Sequence, residues 1–205
     1  MALINIREVY PGVTVGLWQI EESVDDFFQH DPSLSEYRSQ LDEQFKSDGR
    51  KLEFLAIRSL MHAMGINGPL KHNSVGKPMV DGWHVSVSHT RGYAAFIVSR
   101  RQDVAVDVEY VSDRVDRIAN KFLRKDERPR NTLERLVSWC AKETVYKLFS
   151  SDNLKFDEMR ICPFDADADW ICQVENLKRK SVSVNVDFEI AIDFVLTYAV
   201  LSEDF

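Results

Sequence analysis

The chain has 205 residues, of which 44% are hydrophobic and 29% charged, with a formal net charge of −7 and a pI of about 5.3. This length and composition allow a sizeable buried core and are unlike those of a disordered chain. The negative charge disfavours a general nucleic-acid binder, because such proteins gain affinity by neutralising phosphates.

The cysteines and the N-terminus indicate the compartment. Cys140, Cys162 and Cys172 form no C-x-x-C pair and are odd in number, so neither a disulfide framework nor a zinc site is expected. The first ten residues lack the basic flank and apolar run of a signal peptide. No segment approaches the roughly 18 apolar residues of a membrane helix. The sequence therefore predicts a cytoplasmic protein without a membrane partner.

The first half of the chain predicts strands, then helices, then strands again. Residues 2–20 indicate two short strands around a Pro-Gly turn, and a polar helix is predicted over about 33–46. Apolar residues then recur at helical spacing from Leu52 to Ala63, which predicts an amphipathic helix. The period next changes to two, which is typical of strands with a buried face. The predicted strands are 84–88, 93–99 and 104–108.

The second half repeats this order. Helical patterns cover 115–122 and 131–149, and strand-like runs follow at 181–188 and 194–201. The order predicts an α+β protein of two similar halves, each a long helix packed on a small, mostly antiparallel sheet. No linker rich in Pro, Gly or Ser separates them. We expect the halves 1–102 and 103–205 to form one compact unit and the protein to be a monomer.

The strand over 104–108 carries two acids. Side chains at i and i+2 of a strand point to the same face, so Asp107 and Glu109 project together while Val106 and Val108 are buried behind them. Carboxylate oxygens suit Mg²⁺, which takes one or two carboxylates together with water and substrate phosphates. A solvent-facing pair of acids at a strand end gives the same pattern, so both interpretations stay open on this motif alone.

The second helix adds an acid and two lysines. Trp139, Glu143 and Lys147 lie at i, i+4 and i+8, so they form one ridge, and Lys142 precedes Glu143. Taken alone, this ridge indicates an exposed Glu–Lys pair beside a half-buried tryptophan. Beside the strand acids, however, it is what a phosphoryl-transfer site needs. The acid completes a metal shell or accepts a proton, and the lysine neutralises a pyrophosphate.

Two shorter motifs precede these. The run from Ser88 to Thr90 sets His89 between two hydroxyls, an arrangement that can bind a phosphate, although a single histidine can also be structural. A Gly-Lys-Pro turn presents Lys77 from a rigid backbone. This turn is not a Walker A motif, because the G-x-x-x-x-G-K-[ST] spacing is absent.

In this order the four motifs resemble the 4′-phosphopantetheinyl transferase superfamily, specifically its larger single-chain type, which activates peptide and fatty-acid synthases. The family pattern is G-K-P, S-H-[ST], G-[IV]-D-[IV]-E and W-x-x-K-E-x-x-x-K. The matching residues are 76–78, 88–90, 105–109 and 139–147. Ala105 departs from the usual glycine, and Val85 and Ser86 replace the usual aromatic residue and asparagine.

The resemblance implies a reaction and a set of roles. The protein would transfer phosphopantetheine from coenzyme A to a serine of an apo acyl or peptidyl carrier protein, releasing adenosine 3′,5′-bisphosphate. It implies Mg²⁺ held by Asp107, Glu109 and Glu143. Glu143 would also accept the serine proton, and Lys147 would contact the pyrophosphate. The remaining residues that the resemblance assigns to coenzyme A are Arg50, Arg58, Lys77, Ser88, His89 and, as a weaker candidate, Lys142.

A basic segment lies between the acidic strand and the second helix. Residues 114–135 contain eight Arg and Lys residues and fewer acids. Carriers of this class are acidic around their serine, so we expect docking here, although a solvated helix face gives the same pattern. Two other functions remain open. One is a non-catalytic module that binds coenzyme A or a carrier, and the other is a nuclease, which the acidic pI disfavours.

Overall fold

The computed structural model describes residues 3–180 and 182–201. It contains two antiparallel sheets, each covered by a long helix, and this confirms the predicted α+β fold with two similar halves. The residues Ala2 and Ser181, which begin two of the predicted strands, lie outside the described residues.

The N-terminal half contains a four-stranded sheet with the order β1-β2-β6-β5 and a separate two-stranded hairpin, β3-β4. Its strands are β1 (Leu3–Tyr10), β2 (Val13–Gln19), β3 (Lys71–His72), β4 (Pro78–Met79), β5 (His84–Thr90) and β6 (Tyr93–Ser99). Its helices are α1 (Val24–His30), α2 (Arg38–Gln44) and α3 (Asp48–Ala63). The turn between the first two strands needs Gly12, whose φ of +74° is unfavourable for other residues.

The helix predicted over 33–46 is wrong as a single element. Asp31 caps a short 3₁₀ helix, Pro32–Tyr37, by accepting a hydrogen bond from the Ser33 amide at 3.0 Å, and α2 follows separately. The helix α1 was not predicted, although the spacing of Ser23 and Asp26 forms a capping box at its start.

The apolar side of α3 covers the first sheet. Leu55, Ala56 and Leu60 are completely buried, as is Phe96 of β6 below them. Burying one leucine stabilises a fold by about 1.5–3 kcal/mol, so this face holds the helix in place. Its first turns are thereby held near the end of β5.

The C-terminal half contains a five-stranded sheet with the order β7-β11-β10-β9-β8. Its strands are β7 (Asp103–Tyr110), β8 (Met159–Ile161), β9 (Ile171–Asn176), β10 (Val182–Ile190) and β11 (Phe194–Leu201). Its helices are α4 (Arg114–Phe122) and α5 (Thr132–Leu148). Asn131 caps α5 by accepting from the Glu134 amide at 2.9 Å, and the face carrying Val137, Ala141 and Val145 is buried against the sheet.

A third core joins the halves. Val13, Val15 and Ile97 of the first sheet pack with Val106 and Val108 of β7. The first sheet ends at Ser99 and the second begins at Asp103, so the division that we propose at 102/103 falls in the turn between them. Among the described residues, no helix is long and apolar enough to cross a membrane.

Candidate active site

The acids of β7 face α5. Ala105, which precedes them on the same face, is completely buried in the core under this helix, so its methyl group is accommodated by packing. Asp107 is also buried and makes three side-chain contacts. Its Oδ1 accepts from Lys147 Nζ at 2.6 Å and from Ser88 Oγ at 2.7 Å, and its Oδ2 accepts from Cys140 Sγ at 3.1 Å. The carboxylate is therefore held by groups from both halves.

Glu109 is held in the same manner. Trp139 Nε1 donates to its Oε1 at 2.8 Å, and Thr90 Oγ1 donates to its Oε2 at 3.2 Å. Burial raises the pKa of Glu109, and the neighbouring charge of Asp107 adds to this, whereas the two hydrogen bonds oppose it. The orientation of both strand acids thus depends on donors from β5 and from α5.

Glu143 differs from the strand acids. Among the described residues its carboxylate has no hydrogen-bond or ion-pair partner. Burial above all, followed by repulsion from Asp107 and Glu109, raises its pKa to about 7, and Lys147 opposes this rise. A carboxyl with such a pKa can take up and release a proton near neutral pH.

Three carboxylates are the right kind of donor for Mg²⁺. In this conformation, however, no group of three or more His, Cys, Asp or Glu in the described part of the chain is arranged to hold a metal. At Asp107, Lys147 supplies the counter-charge, and both carboxylate oxygens accept hydrogen bonds. The residues fit magnesium in chemistry, and a cation beside Glu143 would stabilise its ionised form.

A second cluster lies at the end of β5. His89 Nε2 is 3.3 Å from Arg50 NH1, and its Nδ1 is 3.3 Å from Glu53 Oε2, which also accepts from Arg50 at 2.9 Å. Burial lowers the pKa of His89, while Glu53 raises it and Arg50 and Lys147 lower it. The structure therefore brings the predicted ligands Arg50 and His89 together, electrostatically coupled to Lys147. The sequence did not indicate Glu53, which lies one turn after Arg50.

Lys77 lies apart from that cluster. Its Nζ is 3.6 Å from Asp103 Oδ1, which His84 also contacts at 2.9 Å. A cavity of about 150 Å³ separates the Gly-Lys-Pro turn from β5 and the end of α5, and both Lys77 and Lys147 line it. The two lysines thus face one small cavity.

Two of the predicted ligands, Lys142 and Arg58, are buried. Lys142 is completely buried, and its Nζ donates to Glu127 Oε2 at 2.8 Å and to the Phe122 carbonyl at 2.9 Å. Its prediction as a pyrophosphate ligand is corrected, because its donors are used inside the fold. Arg58 is also buried. Its guanidinium carbon lies 3.5 Å from the centre of the Phe54 ring, and burial lowers its pKa to about 10.

Other residues have a different place from the one predicted. Ser88 is buried and donates to Asp107, so in this state its hydroxyl hydrogen is not available to a phosphate. Cys140 is completely buried, and its thiol also donates to Asp107. The helical spacing i, i+7 between Cys140 and Lys147 was the signal that both face the same strand.

A larger cavity of about 640 Å³ is lined in part by Glu143. It is bordered by the end of α4, by the segment 153–157 and by Tyr146 of α5. Its lining combines apolar side chains such as Leu123 and Phe156 with the exposed cations Lys121 and Lys155. The carboxyl of Glu143 thus borders this cavity.

The comparisons with known proteins support the resemblance. No match to the chain was found among the curated proteins. The family model of the 4′-phosphopantetheinyl transferase superfamily matches residues 103–198. That segment contains all three acids and Lys147. Residues 103–198, which form the C-terminal half almost completely, therefore belong to the 4′-phosphopantetheinyl transferase superfamily.

Proposed function

We propose that this protein transfers 4′-phosphopantetheine from coenzyme A to a serine of an apo acyl or peptidyl carrier protein, as a member of the larger single-chain type. The observation that carries this proposal is the convergence of Asp107, Glu109, Glu143 and Lys147 within the segment that the family model matches. A non-catalytic binding module would have little need of three acids and a lysine gathered in one place.

Asp107, Glu109 and Glu143 would hold a magnesium ion. When bound, such an ion neutralises charge on the pyrophosphate oxygens. Lys147 Nζ, 2.6 Å from Asp107, would turn from this carboxylate to the pyrophosphate and stabilise the leaving group. Its side chain is partly exposed, unlike that of Lys142, and this supports its role as a ligand.

Glu143 would accept the proton of the serine hydroxyl. The serine oxygen forms a bond to the phosphorus of the phosphopantetheine group, the bond from this phosphorus to the bridging oxygen breaks, and adenosine 3′,5′-bisphosphate leaves with the electron pair. Without a metal the pKa of Glu143 is raised to about 7, and a bound cation would favour the ionised carboxylate that can accept this proton. Its position at the cavity of about 640 Å³ supports approach of the serine from that side.

The nucleotide part of coenzyme A would bind in the N-terminal half. Arg50 and His89 already lie together, and a phosphate would replace Glu53 as the partner of Arg50. Lys77 would contact the same nucleotide from the Gly-Lys-Pro turn, across the cavity it shares with Lys147. Arg58 is left out of this set because it packs on Phe54.

The carrier would dock beside the larger cavity. Four of the eight cations in the basic segment have acidic partners within the chain and are partly neutralised: Arg117, Arg124, Arg130 and Arg135. In the described part of the chain, Arg114, Lys121 and Lys125 have no such partner. Lys121 borders the cavity together with Lys155, which makes this rim the best docking surface for an acidic carrier.

We also propose that the protein acts as a monomer in the cytoplasm. Its three cysteines are free, which fits a reducing compartment.

The release of adenosine 3′,5′-bisphosphate tests the proposal. The protein is incubated with coenzyme A, Mg²⁺ and a panel of apo acyl and peptidyl carriers, and the nucleotide is quantified by chromatography. We expect stoichiometric release with at least one carrier and none with the same carrier after its serine is changed to alanine. Coenzyme A that stays intact with every carrier would favour the binding module instead.

A further inference from the structure

Three hydroxyls form a row on β5 at the boundary between the halves. Ser86, Ser88 and Thr90 lie at i, i+2 and i+4, so they share one side of the strand. All three contact β7, the neighbouring edge strand of the other sheet. Ser86 and Ser88 are buried, and Thr90 is partly exposed.

Two of these contacts join strand to strand. Ser86 Oγ accepts from the Val106 amide and Thr90 Oγ1 accepts from the Tyr110 amide, each at 3.3 Å. Both pairs are separated by 20 residues, a constant offset that shows the two strands running in the same direction. The two strands belong to different sheets, so hydroxyls satisfy amides that a backbone ladder would otherwise satisfy.

The other two contacts reach the acids. Ser88 donates to Asp107 at 2.7 Å, and Thr90 donates to Glu109 at 3.2 Å. Side chains of α5 in the C-terminal half donate to the same carboxylates. Cys140 and Lys147 donate to Asp107, and Trp139 donates to Glu109. Each acid is thus held between a donor of one half and donors of the other.

We propose that Ser88 and Thr90 are positioning residues that set the orientation of Asp107 and Glu109 for metal binding. On the β5 side each acid has one hydroxyl donor, placed opposite the donors from α5, so the carboxylate is fixed between the two. A hydroxyl that is packed and donates to a ligating carboxylate limits its rotation and preserves its geometry. The halves are therefore coupled to the site through these two side chains. This inference rests on the proposed function for its metal and its reaction.

Ser86 provides a matched control. It lies in the same row, is equally buried and bonds to the same strand, but its partner is a backbone amide rather than a carboxylate. Replacing Ser86 should weaken the contact between β5 and β7 without changing the orientation of Asp107 or Glu109. A purely structural role for the row predicts the same effect at all three positions, whereas positioning predicts a difference.

The experiment measures Mn²⁺ affinity by electron paramagnetic resonance with coenzyme A present, together with the melting temperature. The full chain is used for Ser86→Ala, Ser88→Ala, Thr90→Val and Thr90→Ser. We expect Ser88→Ala to weaken Mn²⁺ binding about 10-fold or more, the usual result of removing a partner of a ligating group. Thr90→Val should weaken it less, because its bond is longer, and Thr90→Ser should restore it. Ser86→Ala should lower the melting temperature and leave Mn²⁺ affinity unchanged.

Equal losses of Mn²⁺ affinity at Ser86 and Ser88, or no loss at Ser88 and Thr90, would overturn the inference. Absence of Mn²⁺ binding by the unmodified protein would overturn it as well. Thr90→Val keeps the side-chain volume, so a result remains available if Ser88→Ala does not fold. If the expected order of affinities holds but no carrier is modified, the transfer function falls while the positioning role stands. If carriers are modified but the expected order of Mn²⁺ affinities fails, the positioning role falls while the transfer function stands.

Discussion

The long helices α3 and α5 both cover an antiparallel sheet, but the candidate ligands beside α3 are basic, whereas those beside α5 are mainly acidic. The ligand candidates of the N-terminal half, Arg50 and His89, are polar groups at the surface end of α3 and β5. The C-terminal half presents acids, with Glu143 on α5 above Asp107 of β7. In the proposed function the two similar folds have different roles. One half would offer positive charge for phosphates, and the other would offer carboxylates for a metal and a proton.

The candidate site lies between the two halves rather than within either one. Neither half alone holds the acids, because the donors of Asp107 come from β5 as well as from α5. The site exists only where the edge strands of the two sheets meet. Variants of the two halves should accordingly fail in different ways.

The largest effect is expected at the carboxyl of α5. Glu143→Gln removes the proposed proton acceptor and should lower kcat by about 10²–10⁴-fold while coenzyme A affinity stays close to that of the unmodified protein. Steady-state kinetics and calorimetric titration measure the two quantities. Asp167→Asn, an exposed acid away from the site, serves as the control. Full activity of Glu143→Gln would refute the role.

The next effect separates two lysines of α5. Lys142→Met leaves Glu127 buried without its partner, and breaking such a pair costs about 3–5 kcal/mol of unfolding free energy. Glu127 also accepts from the amides of Arg124 and Ile161, so the loss should spread to the α4–α5 loop and β8. Urea unfolding measures it. The double variant Lys142→Met with Glu127→Gln should recover part of the stability. An unchanged midpoint in the single variant would contradict the structural role.

Two arginines of α3 provide a third comparison. Arg50→Ala removes a charged phosphate donor and should weaken coenzyme A binding about 10-fold or more, with a smaller effect on a coenzyme A that lacks the 3′-phosphate. Arg58→Met should lower stability and leave this preference intact, because Arg58 packs on Phe54. Calorimetric titration of both ligands decides. If Arg50→Ala loses the same affinity for both ligands, the proposal that Arg50 binds this phosphate is contradicted.

The smallest effect concerns pH. Because burial raises the pKa of Glu143 to about 7 from 4.5, its ionisation opposes folding, and stability is lost as the pH rises through this window. Glu143→Gln should therefore be more stable than the unmodified protein at pH 8 and similar at pH 4. The difference should be on the order of 1–2 kcal/mol, since the carboxyl is partly exposed. Melting temperatures at both pH values measure it, and a pH-independent difference would argue against the raised pKa.

Much of the fold could be predicted from periodicity. The predicted strands 93–99 and 194–201 coincide with β6 and β11, because long apolar runs bounded by polar turns leave little choice of register. The short helices α1 and Pro32–Tyr37 were harder to predict, since capping by Ser23 and Asp31 decides where these two begin.

The candidate site was predictable only in part. Neighbouring residues on a strand point to opposite faces, so Ser88 and His89 could not both face one phosphate. This alternation was visible in the sequence and could have separated their roles. The burial of Lys142 was not visible in sequence, because its partner Glu127 lies 15 residues earlier in an irregular segment. Long-range pairing of this kind depends on packing rather than on local spacing.

Carrier modification at saturating coenzyme A tests the division of labour most directly. Intact-mass measurement follows an apo carrier with the unmodified protein, Arg50→Ala and Glu143→Gln. We predict that the unmodified protein adds one phosphopantetheine, that Arg50→Ala recovers most of this rate when coenzyme A is in excess, and that Glu143→Gln does not. No mass gain on any carrier, or equal rates for Glu143→Gln and the unmodified protein, would contradict the account.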